Sequence, residues 1–169
     1  MAPKTFKLRN GQDYPSVGLG TCKANDDEII EALKYAILEC GYRAIDTAEM
    51  YQNEEAIGRG LQEIFKTVPR EEIVVTTKFW NDHHSREGVR AALQESLKKL
   101  QLDYIDTYLV HWPMAVTEQK NFDKIFDGSE KIEFAKVPLR DTWEELEKLV
   151  DEGLIKNLGV SNFGVQLLL

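Results

Sequence analysis

Apolar residues recur along the chain with two alternating periods. Short runs rich in β-branched and aromatic residues are PSVGLG (Pro15 to Gly20), YRAID (Tyr42 to Asp46), IVVTTK (Ile73 to Lys78), YIDTYLVH (Tyr104 to His111) and NLGVS (Asn157 to Ser161). Between them lie segments with a helical period. The first helix follows Asn25, with Glu28 three positions on as in a capping box, and carries Ile29, Leu33, Ile37 and Cys40 before Gly41. The second carries Ile57, Leu61, Ile64 and Phe65. The third follows Ser85 and carries Val89, Leu93, Leu97 and Leu100. The fourth carries Trp143, Leu146 and Val150 and stops at Gly153. The charged faces of these helices are expected to be solvated.

Strict β, α alternation predicts right-handed crossovers and a parallel sheet. Ahead of the first strand, FKLRNGQDYP predicts a hairpin turning at Asn10-Gly11, placed to plug the bottom of a barrel. The stretch from about Met114 to Val137 is expected to be a long loop over one end of the sheet. A doubly wound sheet and a (β/α)8 barrel both fit this order. A dinucleotide-binding sheet should show G-x-G-x-x-G after its first strand, and GLGTCKANDD lacks the third glycine. The barrel is therefore expected, as one domain over residues 1–169.

Composition narrows the partners rather than the fold. The chain has 169 residues, 43% hydrophobic and 30% charged, with a formal net charge of −8. Such a field repels nucleic acid and anionic membrane, so an anionic ligand must be met by a local cluster of cations or backbone N–H groups. Cys22 and Cys40 fit no metal spacing or disulfide framework, and reduced thiols in the cytoplasm are expected. The first residues show no signal peptide, and no apolar run reaches the ~20 residues of a membrane span.

Chemistry in a barrel gathers at the C-terminal ends of the strands. Those positions hold Gly20 and Thr21, Asp46, Lys78, His111 with Trp112, and Ser161 with Asn162, while Tyr51 lies in the loop just after Asp46. A lone histidine in LVHWP is ordinarily a core histidine satisfied by one hydrogen bond. Asp46, Lys78 and His111, however, close three successive strands. No serine or cysteine has a convincing base, and His83 and His84, adjacent in NDHHS, are expected in a solvated turn rather than on a metal. An ammonium beside a tyrosine hydroxyl favours phenolate over phenol, and a carboxylate keeps that ammonium charged. The set predicts a tyrosine acid for a developing alkoxide, with a neutral histidine donating to the same oxygen.

GYRAIDTAEMYQNEEAIG (Gly41 to Gly58) resembles the first signature of the aldo-keto reductases, and LIKNLGVSNF (Leu154 to Phe163) is similar to their second. TTKFW and LVHWP match the strand ends that carry that family's lysine and histidine. The resemblance implies hydride transfer from NADPH to an aldehyde or ketone, without metal, on a (β/α)8 TIM barrel. It implies Tyr51 as proton donor, Lys78 as its activator, Asp46 as the partner of Lys78 and His111 as the residue orienting the carbonyl. Ser161 and Asn162 would hold the nicotinamide carboxamide, Gly20, Thr21 and Asp46 would lie at the cofactor, and Trp80 and Trp112 would line the substrate pocket. Cys22 stands where many relatives have an aromatic residue, which implies a roomier pocket. The resemblance covers about five strands, so a truncated barrel is expected, with strands one and five as edges and with Val17, Leu19, Ile45 and Val160 facing an open interior. A complete chain of this kind is expected to be monomeric and the fragment to self-associate. A non-catalytic fragment or interaction module on the same scaffold is the alternative.

Overall fold

In the computed structural model, which describes residues 4–117 and 131–168, two sheets account for the strands. β1 (Thr5–Lys7) and β2 (Asp13–Pro15) form the antiparallel hairpin, with Gly11 at φ 85° in its loop, a conformation that favours glycine. β3 (Leu19–Gly20), β4 (Ala44–Asp46), β5 (Val74–Phe79), β6 (Ile105–Val110) and β7 (Ile155–Val160) form one parallel sheet in sequential order. Sequential order is that of consecutive units of a (β/α)8 barrel, whereas a doubly wound sheet reverses its strand order at a switch point.

The helices between these strands are α1 (Asp26–Lys34), α2 (Glu54–Ile64), α3 (Arg86–Leu100) and α4 (Leu139–Asp151), and α5 (Val165–Leu168) follows β7. Two starts follow the sequence closely. The Asn25 side chain accepts from the Glu28 N–H and the Ser85 side chain accepts from the Gly88 N–H, each satisfying a donor that the first turn leaves free. Helix α1 departs from the expected period. It widens into a π turn at Tyr35–Glu39, where the Cys40 N–H donates to Tyr35 O. The wider turn rotates Cys40 off the apolar stripe, and it is exposed rather than buried.

The first expected strand is also corrected. Pro15 belongs to the hairpin, and only Leu19 and Gly20 pair with the sheet. The last strand begins two residues earlier than expected, because Ile155 pairs with Ile105 and the Ile105 N–H donates to Leu154 O at 3.0 Å. Lys156 beside it meets Asp106 at 3.2 Å and the face of the Tyr104 ring at 3.8 Å. Among the charged residues of the helices, Glu54 and Glu145 are not solvated. Glu54 is 2% exposed and accepts from the Thr77 and Ser96 hydroxyls. Glu145 faces Arg90 across α3 and α4.

The main core lies between the sheet and the helices and includes Ile29, Leu33, Ile57, Leu61, Val75, Phe79, Leu93, Tyr108 and Leu146. Leu19, Ile45 and Val160 pack in or against this core, so the expectation that they face an open interior is wrong. Val17 is exposed ahead of β3. The opposite face of the sheet is mostly polar instead: Thr76, Thr107 and Asn157 lie in register across β5, β6 and β7, and Lys78, two residues further along β5, pairs with Leu109. The hairpin docks on it as expected. Tyr14 Oη is 2.8 Å from Thr76 Oγ1, Asn10 Nδ2 donates to Asn157 Oδ1 at 2.8 Å, and Asn157 Nδ2 donates to Gln12 Oε1 at 2.7 Å.

The long loop closes through a Val116–Phe134 antiparallel bridge, and its expected centre lies outside the described residues. Among the described residues, no helix is long and apolar enough to cross a membrane.

Candidate active site

Gly20 and Asp46 end β3 and β4, Lys78 is the penultimate residue of β5, and Thr21, His111 and Ser161 directly follow β3, β6 and β7. Parallel strands carry all of these residues to one rim. Tyr51 arrives there on a single 3-10 turn, Glu49–Tyr51, which Gln52 ends at φ 57°.

Lys78 is the hub. Its Nζ donates to Asp46 Oδ1 at 2.5 Å, to Thr47 O at 2.8 Å and to Tyr51 Oη at 3.4 Å. An ammonium has three donors and no acceptor, so these three contacts use it completely. The Lys78 side chain is 6% exposed while that of Asp46 is 46% exposed, so the ion pair has one dry end and one wet end. Because Tyr51 Oη accepts from Lys78, its own hydrogen is left to point away from the lysine.

His111 is wedged between two rings, edge-on to Tyr51 at 6.0 Å and to Trp80 at 5.0 Å. Burial first, and then the Lys78 charge, lower its pKa to about 4. The ring is therefore neutral near pH 7 and carries a single N–H. Its Nδ1 is buried with no hydrogen-bond partner. Asn162, at φ 60°, donates from Nδ2 to His111 O at 2.9 Å and to Ser161 Oγ at 3.1 Å.

The other expected residues divide into two groups. Trp80 is buried beside His111, and Trp112 is half-buried just beyond it. Thr21 is fully buried, and its hydroxyl and its N–H both donate to Asp46 O at 3.1 Å. It fixes the backbone of the aspartate rather than presenting a free polar group. Cys22 is exposed beside it.

His84 corrects the solvated-turn expectation. It is 1% exposed, edge-on to Phe79 at 5.3 Å, and the Thr142 hydroxyl of α4 donates to its carbonyl at 2.7 Å. Burial lowers its pKa to about 4 against a backbone hydrogen bond with Trp112. His83 is half-buried and faces Glu49.

Three supports were not visible in the sequence. Asn53 is buried and donates to Thr21 O at 2.8 Å and Ala24 O at 3.3 Å, stapling the β3 and β4 loops together. Thr47 acts through its backbone carbonyl, which side-chain identity does not signal. Glu49 accepts the Trp80 N–H at 2.9 Å. Its only signal is an acidic residue two positions before a candidate acid.

A sequential parallel sheet with a lysine-centred polar cluster on its C-terminal rim defines a β/α-barrel chain with its chemistry among the strand ends. Comparison with known proteins gives the same class. The model of the Aldo/keto reductase family matches residues 16–168. The chain is 48% identical over 160 residues to Aldo-keto reductase family 1 member A1 of Cricetulus griseus, which covers 92% of this chain and 48% of that protein. It is 47% identical over 167 residues to the Sus scrofa protein of the same name, covering 96% of this chain and 50% of that one. Among solved structures, the aldose reductase of Schistosoma japonicum superposes with a TM-score of 0.89 at 41% identity, over 97% of this chain and 55% of that chain. The Bombyx mori aldo-keto reductase in complex with NADP gives 0.85 at 40% identity, over 99% and 53%. The chain belongs to the aldo/keto reductase family, and it spans about half the length of the curated relatives it matches.

Proposed function

We propose that this rim is the catalytic end of an NADPH-dependent carbonyl reductase that converts aldehydes and ketones to alcohols. The observation that carries the reading is the complete use of the Lys78 ammonium by Asp46, Thr47 and Tyr51. It leaves the Tyr51 hydroxyl with a free hydrogen and a fixed positive charge behind its oxygen.

The donor set suits the nicotinamide end of the cofactor. A primary carboxamide needs one donor and one acceptor. The Ser161 hydroxyl, which accepts from Asn162, keeps its hydrogen, and the Asn162 side-chain carbonyl is an acceptor. A Cβ at Gly20 would meet nothing within 4 Å, so the backbone there is open to a ligand, beside Thr21 and Asp46. NADPH supplies the hydride when bound, and the residues of this chain handle the substrate oxygen.

Tyr51 gives its proton to that oxygen as negative charge develops on it. The phenolate left behind is stabilised by the Lys78 ammonium, and Asp46 keeps Lys78 charged and in place. Neutral His111 donates an N–H to the same oxygen and orients the carbonyl, while Trp80 and Trp112 wall the substrate side. Two free, exposed thiols favour a reducing, cytoplasmic setting, and residues 1–169 are read as a single, incomplete barrel domain.

Lys78→Met tests the reading in the full chain. The variant should lose aldehyde reduction by at least ~100-fold, the low end of what a positioned acid contributes, with NADPH affinity within about threefold. Turnover at the wild-type rate would remove Lys78 and its hydrogen bonds from the reaction.

A further inference from the structure

The turn that carries Tyr51 is tied to the end of β5 by a side chain with no part in the reaction above. Glu49 opens that turn. Its Oε2 accepts the Trp80 backbone N–H at 2.9 Å and lies 3.2 Å from His83 Nδ1. Asp82 Oδ1 is 3.3 Å from the same nitrogen. Trp80 in turn stands edge-on to His111, which stands edge-on to Tyr51. The contacts therefore close a ring: Tyr51 turn, Glu49, Trp80, His111, and back to Tyr51. An ionised carboxylate only accepts hydrogen bonds, so the proton on His83 Nδ1 lies toward Glu49.

We propose that Glu49 and His83 are positioning residues for the carbonyl reduction inferred above, holding the Tyr51 turn and the Trp80 backbone in one register. The proposal rests on that function but assigns roles to two further side chains. Burial works against the Glu49 carboxylate, and the His83 and Trp80 contacts more than offset it, leaving its pKa below the usual value. The same contact with Glu49 raises the His83 pKa above 6.5, opposed by burial. Asp82 favours the charged imidazole, and Lys99 of α3 disfavours it. Glu54 of α2, Tyr108 of β6 and His111 also feel the Glu49 charge.

The sign of the pH effect follows from these contacts. The pair is fully charged between the folded pKa values of Glu49 and His83. As pH rises through the His83 value the imidazole loses its charge, and the ion pair weakens to a hydrogen bond from a neutral ring to the carboxylate. Reduction efficiency should therefore carry a step above pH 6.5 that falls toward the alkaline side.

The experiment compares Glu49→Ala, Glu49→Gln and His83→Gln with wild type and Tyr51→Phe in the full chain. It reads kcat and KM for an aldehyde, the NADPH Kd and the pH profile. Glu49→Ala should lower kcat about tenfold, a fraction of the ~100-fold that an ångström of misplacement costs, with the NADPH Kd within twofold. Glu49→Gln keeps an acceptor for the Trp80 N–H and should recover most of that rate. It should also lose the pH step, as should His83→Gln. Wild-type kcat in Glu49→Ala, or an unchanged pH profile in His83→Gln, overturns the proposal. So does a loss of NADPH affinity in parallel with rate, which marks general unfolding. If Tyr51→Phe is inactive while Glu49→Ala is wild-type, only the positioning role fails; if Tyr51→Phe stays active, the function itself fails.

Discussion

His84 and His111 are both buried, and both have pKa values lowered to about 4, with burial as the main cause. In the unfolded chain each titrates near 6.5. Between those values the unfolded chain binds protons that the folded chain refuses, so stability is present above pH 6.5 and is lost as pH falls toward 4. Each ring accounts for up to roughly 3 kcal/mol of that loss. Thermal melts of the full chain should show Tm dropping steadily below pH 6.5, with a shallower slope in His84→Gln. A Tm independent of pH across that window would contradict the burial argument. The two rings also mark how far single residues could be read. Asp46, Tyr51, Lys78 and His111 were legible because chemically distinctive side chains fall on or beside strand ends. The environment of His84 was not, because the residue that covers it, Thr142, is distant in the chain and arrives only with α4. Glu49 and Asn53 act on backbone groups of other loops, and sequence pattern does not encode such contacts.

At the scale of elements, most starts and periods were legible and the exceptions have local causes. The caps at Asn25 and Ser85 were readable because a short polar side chain precedes an apolar stripe. The π turn at Tyr35–Glu39 was not, since it adds no residue type of its own. The face expected to line an open interior differs in β3, β4 and β7. Leu19, Ile45 and Val160 point to the helical layer, as the alternation with Gly20, Asp46 and Ser161 at the rim requires. Helix α2 depends on Gly58 for its approach to α3. A Cβ there would overlap the Lys99 carbonyl and lie 2.9 Å from Leu100 C, and neither backbone atom belongs to a flexible side chain. Gly58→Ala should destabilise the fold by about 1–3 kcal/mol, as overpacking does. Urea unfolding should show a lower midpoint with an unchanged slope; an unmoved midpoint would mean that α2 and α3 separate freely.

For the whole molecule, the two ends of the sheet have different tasks. One end is closed by the hairpin, whose Asn10, Gln12 and Tyr14 side chains meet Asn157 and Thr76 on the polar inner face. At the other end, loops after β3, β4, β5, β6 and β7 assemble one polar cluster around Lys78. Residues far apart in the chain thus meet because parallel strands deliver them to a common rim, and the hydrogen bonds of Asn53, Thr21 and Glu49 hold the loops in register. The central claim is that this assembly makes Tyr51 the proton donor in carbonyl reduction. The most direct measurement is single-turnover reduction of an aldehyde by NADPH in wild type and Tyr51→Phe, with NADPH binding titrated alongside. The hydroxyl serves the transition state rather than the cofactor, so reduction should fall by at least ~100-fold while NADPH affinity stays within about threefold. Reduction by Tyr51→Phe at the wild-type rate would contradict the account.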